Sequence, residues 1–138
     1  MKIRGFVGKN NGVYRAPADI NPLRAAVGDE GLRWIGIDLQ RARGKRALLN
    51  AFAHALKFPA SFGGNWDALA DSLQDLSWLP DKGWVLALRG AADFAAAKSD
   101  EHAVLLEILG ATADYWQGQR QVFIVLTDAT GLPAFPAR

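Results

Sequence analysis

Apolar and polar positions along this chain repeat with two different periods. Between Asn65 and Leu76, Trp66, Leu69, Leu73 and Leu76 recur at steps of three and four, and Asp67, Asp71 and Asp75 recur every fourth residue. At about 100° per residue the two sets fall on opposite sides of one helix, one side suited to a core and the other presenting carboxylates. Helical spacing also marks 44–57, with Leu48, Leu49, Phe52 and Leu56 on one face. It marks 100–117 as well, through Val104, Leu105, Ile108, Leu109, Tyr115 and Trp116. The first of these helices should stop before Pro59, because a proline disfavours helical backbone in the residue preceding it. Ser99 is the expected N-cap of the second, whose first turn carries Asp100 and Glu101. A short Ala-rich helix is read over Ala91 to Lys98.

Continuous apolar runs of strand length occur at Leu32 to Leu39, Trp84 to Leu88 and Gln121 to Thr127. Strands near 33–38, 84–88 and 121–127, separated by helices near 45–57, 65–76 and 100–117, predict an α/β domain. Its sheet should be small, three-stranded and mainly parallel, covered by helices. Ahead of it, Ile3, Phe6, Val7, Val13 and Tyr14 flank an Asn10-Asn11-Gly12 turn signal, so Lys2 to Arg15 reads as an added hairpin. Pro17 to Gly31 is turn-rich, with one helical turn expected around Leu23 to Val27.

Length and composition change little in this picture. A chain of 138 residues suits one domain with a real core. It has no cysteine, which excludes a disulfide framework and a thiol nucleophile. Met1-Lys2-Ile3-Arg4-Gly5 is not followed by the apolar run of a signal peptide, and no stretch has the apolar length to span a bilayer. A cytoplasmic protein with no membrane contact is expected.

Charge adds more. The formal net charge is +2, yet Lys2, Arg4, Lys9, Arg15, Arg24, Arg33, Arg41, Arg43, Lys45 and Arg46 all fall in the first third. No Lys or Arg lies between Phe58 and Asp81 to offset the acid stripe. Like charges at this spacing repel by roughly 0.2–0.5 kcal/mol per pair. Asp67 has a local reason to be there, since Asn65 is a good N-cap and the first turn of a helix favours an anion. Asp71 and Asp75 have none, and Asp is a mediocre residue within a helix. The stripe is either a solvated face or a surface kept for a cationic partner.

Catalytic groupings are scarce. His54 and His102 are the only histidines, on different expected helices, and without cysteine or a second histidine at helical spacing they make no metal site. Gly63-Gly64, Gly90 and Gly5-x-x-Gly8 lack the Gly-Lys-Ser/Thr sequel of a phosphate loop. Two of the aspartates could pair as acid and base, but an exposed helix face gives both the same environment, and unlike environments are what divide such roles. The residues argue against an enzyme and call for no cofactor.

The segment Phe58-Pro59-Ala60-Ser61-Phe62-Gly63-Gly64-Asn65-Trp66-Asp67-Ala68-Leu69-Ala70-Asp71-Ser72-Leu73 closely resembles the signature of the barstar family of ribonuclease inhibitors. That signature is a Pro step, an aromatic-Gly-x-Asn turn, and a helix opening with an apolar residue and Asp-Ala-Leu-x-Asp. A weaker resemblance, in element order, runs from about Leu32 to Asp128. Residues 1–31 have no counterpart, which implies an N-terminal extension packed on a barstar-like domain of residues 32–138. The resemblance implies that Asp71 is the principal anchoring carboxylate and Asp67 the second. It further implies that Asn65 and Trp66 border the partner and that Gly63 belongs to the contacting turn. Asp75 joins this set by spacing alone. Ser61 and Ala70 stand where a family member carries a contacting Tyr and a Trp, and Trp78 and Trp66 could each serve either the surface or the core.

The expectation is an inhibitor or immunity protein, an antitoxin in effect, that is monomeric when free. It would block the cationic active site of a ribonuclease or related toxin. The alternatives are a nucleic-acid-associated module, using the basic first third with Tyr14 or Trp34 stacking on bases, and an interaction domain without inhibitory activity. The inhibitor reading expects no nucleic-acid ligand.

Overall fold

The three long apolar runs are strands, and a short fourth one joins them. The computed structural model describes residues 11–135. Its elements are β1 (Gly12–Arg15), α1 (Asn21–Asp29), β2 (Arg33–Asp38), α2 (Lys45–Ala55), α3 (Trp66–Leu73), β3 (Gly83–Arg89), α4 (Ala91–Ala97), α5 (Ser99–Gly118) and β4 (Val122–Thr127). The sheet has four strands in the order β1-β4-β3-β2, every pair parallel. The chain is therefore an α/β protein with a parallel sheet and helices on both faces. This explains why β3 and β4 read as unbroken apolar runs, since strands covered on both sides need no polar alternation.

Alternation along the strands divides the core. Ile35, Ile37, Leu86, Leu88, Phe123 and Val125 face one way and pack with Leu48, Leu49 and Phe52 of α2, Leu69 and Leu73 of α3, and Leu105, Leu109 and Trp116 of α5. Val85, Val122, Ile124 and Leu126 face the other way, against Leu23 and Val27 of α1 and Phe135. Three indole N–H groups tie ends and loops to this frame. Trp78 donates to the Leu56 carbonyl after α2 at 2.9 Å, Trp116 to the Leu73 carbonyl at the end of α3 at 2.8 Å, and Trp84 to the Leu79 carbonyl at 3.1 Å. The Leu56 and Leu73 carbonyls lie at helix ends that leave them open, while the Leu79 carbonyl also accepts the Asp81 N–H at 2.8 Å.

Several expectations are corrected. The sheet has four strands, not three. Of the expected hairpin, residues 1–10 lie outside the described residues, and the other arm pairs with β4 in parallel, Gly12 opposite Ile124 and Arg15 opposite Thr127. Asn11 does not turn the chain there. Its side-chain amide donates to the Gln121 carbonyl at 2.8 Å and accepts from the Phe123 N–H at 2.9 Å, which extends the pairing by one residue. The single turn expected around Leu23 is a nine-residue helix, α1, started by the Asp19 carboxylate accepting the Asn21 N–H at 3.0 Å and buried through Leu23 and Val27. Trp34, a base-stacking candidate in the nucleic-acid alternative, is half-buried against the second core, with the Arg24 guanidinium 5.7 Å from its ring centroid.

Ser99 is the first residue of α5 and not its cap. Lys98 closes α4 by donating its N–H to Phe94 and opens α5 by accepting from His102, so one residue fills both cap positions without a spacer. Gly90, between β3 and α4, has φ of 80°, and a Cβ there would stand 2.7 Å from the Gln40 backbone, so glycine is required.

Two outcomes follow from the packing. Leu69→Ala or Leu73→Ala should cost roughly 2–5 kcal/mol in chemical denaturation, since each leaves a cavity under α3. His102 is buried, and desolvation lowers its pKa below the ordinary histidine value. The unfolded chain therefore binds the proton more readily, and stability rises with pH through this window. Its contribution is full above the unfolded pKa near 6.5 and is lost as pH falls toward the folded value. Denaturation curves from pH 7 to 5 should show a loss that His102→Gln lacks; equal slopes for both proteins would contradict this.

Candidate functional site

The acid-bearing helix is the shortest of those that cover the first core apart from α4, and each of its ends has a local cause. Asn65 sits in extended backbone, φ −135° and ψ 175°, and its side-chain oxygen accepts the Ala68 N–H at 2.7 Å, an N-cap. Gly64 before it has φ of 69°, where glycine alone is unstrained. Gly63 has no such requirement: a Cβ there would make ordinary contact with Ala68 at 3.6 Å. At the other end α3 stops at Leu73, not at Leu76 as the periodicity predicts. Leu76 takes a left-handed φ of 51° and is 1% exposed. That backbone costs an L-residue roughly 1–2 kcal/mol, which burying a leucine offsets at roughly 1.5–3 kcal/mol. Leu76 reaches the core through a turn, where a continued helix would have reached it by periodicity.

The three aspartates are consequently not one stripe. Asp67 and Asp71 are exposed on α3, and Asp75 is exposed in the turn that follows. That turn folds Asp75 beside Asp71 at the edge of an open recess of about 260 Å³. Gly63 and Phe62 of the preceding loop, Ser72 of the helix and Trp78 complete its walls. Phe58 holds this loop by ring contacts at 4.9 Å to Phe62 and 5.8 Å, edge-on, to Trp78. Trp78 thus serves both candidate roles: its N–H anchors α2, and it also lines the recess.

Asn65, Trp66 and Asp67 stand outside this recess, at the start of α3. Trp66 is half-buried on the margin of the core, and the Lys45 ammonium lies 5.7 Å from its ring centroid. Ser72 and Phe62 were not singled out by sequence pattern, and only the return of the loop against α3 brings them in. No cation lines the recess. The single ion pair among the described residues, Arg33 with Asp81, lies elsewhere. The carboxylates of Asp67, Asp71 and Asp75 therefore carry unmatched negative charge.

Little here suggests chemistry on a bound substrate. His54 is exposed and His102 buried, and neither lines the recess. Among the described residues no group of three or more His, Asp or Glu is placed to hold a metal ion, and no helix is long and apolar enough to cross a membrane.

A parallel α/β frame that fixes a short acidic helix by its apolar side and leaves its carboxylates exposed defines the structural class of this small protein. Within that class the chain belongs to the barstar family: the family model described as Barstar (barnase inhibitor) matches residues 32–128. No curated protein matches the chain. The matched residues run from just before β2 through β4 and leave β1 and α1 outside. Members of this family are inhibitors and not enzymes, and their partners are ribonucleases.

If the carboxylates are not structural, removing one should not harm folding. Asp71→Asn or Asp75→Asn should unfold at the same denaturant concentration as the parent or slightly higher, by a few tenths of a kcal/mol, because a repulsion is relieved. A loss on the scale of the Leu→Ala variants would mean that the carboxylate holds the fold.

Proposed function

We propose that this protein inhibits a cationic ribonuclease, or a related nuclease-type toxin, by seating α3 and its flanking turns in the active site. One observation carries the reading: Asp71 and Asp75 share a recess that holds no cation of the protein's own. A ribonuclease binds phosphates with Arg, Lys and His, and carboxylates on a rigid helix imitate those phosphates. Arg pairs with a carboxylate through two parallel hydrogen bonds. Asp71 is the central anchor and Asp67 the second. Asp75 adds charge from the turn, and Asn65, Trp66 and Gly63 border the contact. Phe62 and Trp78 supply aromatic walls, whereas Ser61 and Ala70, which stand where a family member carries Tyr and Trp, offer none. Such a protein acts as an antitoxin or immunity protein in the cytoplasm. Residues 1–31 form an extension on the domain, and neither cofactor nor metal takes part.

The nucleic-acid alternative is weakened by its own stacking residues. Trp34 already carries Arg24 over its ring, and Tyr14 meets Phe135 edge-on at 5.2 Å between centroids.

The test is inhibition of barnase and of a panel of small cationic bacterial ribonucleases by the full chain and its variants. Asp71→Ala should weaken inhibition of the susceptible enzyme by about 2–5 kcal/mol, chiefly through faster dissociation. That is the usual cost, about 2–5 kcal/mol or more, of truncating one partner of a buried charge pair, a rule for which barnase and barstar are a worked example. Asp67→Ala should cost less, and Asp75→Ala less again. Full inhibition by a folded Asp67→Ala, Asp71→Ala double variant, or inhibition of no enzyme in the panel by the parent, would overturn the proposal.

A further inference from the structure

The basic first third of the chain has no part in the acidic site, yet some of it lies against that site. Arg43, Lys45 and Arg46 cluster at the start of α2, all exposed, and none is in an ion pair among the described residues. Their position is electrostatically unfavourable. The first turn of α2 contains no acid, its N-cap is Gly44 with no side chain to accept an N–H, and the positive end of the helix dipole disfavours added cations. Helix stability alone would put acids here.

The cluster is continuous with the start of α3. A hollow of about 370 Å³ is lined by Lys45, Arg46, Leu49 and Asn50 on one side and by Gly64 on the other. Gly64 immediately precedes the Asn65 cap, and Lys45 reaches over the ring of Trp66. A partner that covers the turn and the carboxylates of α3 therefore also faces Lys45 and Arg46. If that partner were cationic throughout, these residues would repel it at distances shorter than the screening length of roughly 8 Å at physiological salt.

We propose that Lys45 and Arg46, with Arg43 behind them, form a basic lobe of the same interface, and that the partner nuclease carries carboxylates on the rim of its cationic cleft, facing this lobe. This rests on the inhibitor reading and narrows it from any cationic nuclease to one with an acidic rim. A polynucleotide fits the lobe poorly. Its phosphates would run toward Asp67 and Asp71, and the nearby aromatic, Trp66, already has a cation over its ring. A folded protein can present both signs in the required order.

Charge reversal gives a test whose sign is decisive. Lys45→Glu, Arg46→Glu places acids in the first turn of α2, which the helix dipole favours, so the variant should fold with an unchanged or higher thermal midpoint. Association and dissociation rates would be measured by stopped flow with the panel ribonuclease that the parent inhibits best, at low and at high salt. Against an acidic rim, the reversal should slow association about tenfold at low salt, with the gap closing at high salt and dissociation little changed, as for rim charges in general. Unchanged or faster association would overturn the basic lobe, because the residues would then face solvent or cations. Asp71→Ala serves as the parallel arm, with its effect expected in dissociation. If Asp71→Ala acts and the reversal does not, the lobe alone falls; if the acid variants are inert, the acidic site falls and the lobe with it. Binding of a single-stranded RNA oligomer by the parent, abolished by the reversal, would assign the cluster to nucleic acid and overturn the proposal as well.

Discussion

Leu69 and Leu73 lie fully buried beneath α3, and that burial determines where the acidic residues point. A helix of eight residues is too short to be stable by itself. It persists here because its two leucines fill the first core, the Asn65 side chain caps its start and the Trp116 indole takes the Leu73 carbonyl at its end. With the apolar side and both ends held, Asp67 and Asp71 have only the outward direction left. The like-charge repulsion they bring is smaller than any one of these anchoring contributions, so the fold carries it without a compensating cation.

The surface around α3 is organised by sign. Uncompensated carboxylates line one recess, and unpaired cations stand across the Gly64 turn. Neither group is where helix energetics alone would put it. Asp71 and Asp75 lie beyond the first turn that favours acids, and Lys45 and Arg46 occupy a first turn that disfavours bases. Two neighbouring departures from local stability, of opposite sign, are what a surface shaped by an external partner of mixed charge would look like.

The interior was more legible in the sequence than the edges and ends of elements. β3 and β4 announce themselves because strands covered on both faces must be apolar throughout, and β2, at the sheet edge, shows through Trp34, Ile35 and Ile37. β1 does not, since Gly-Val-Tyr-Arg is short and half-exposed, and its partner lies more than a hundred residues away, where no local pattern reaches. Asn-Gly beside it has the chemistry of a hairpin turn, but the Asn11 side chain is used for pairing with the start of β4. α3 was legible from its cap and its leucines, while its end was not. Leu76 continues the helical spacing yet reaches the core through left-handed backbone. Asp75 was placed with Asp71 by a periodicity that does not hold at that point, and the turn brings it there all the same. Phe62, Ser72 and Trp78 join them only once the loop folds back, a tertiary event with no signature in spacing.

The pairing of β1 with β4 also bears on synthesis. Among the described residues the first strand lies alongside the last, with Gly12 opposite Ile124. During synthesis β1 leaves the ribosome before its β4 partner, and α1 follows it without the β4 residues that complete its half of the core. The sheet can close at that edge only after β4 has been translated. Closure of so long a loop is slow compared with local helix formation. Until then the apolar side chains of the second face, Leu23, Val27 and Val85 among them, are open to water and to other nascent chains.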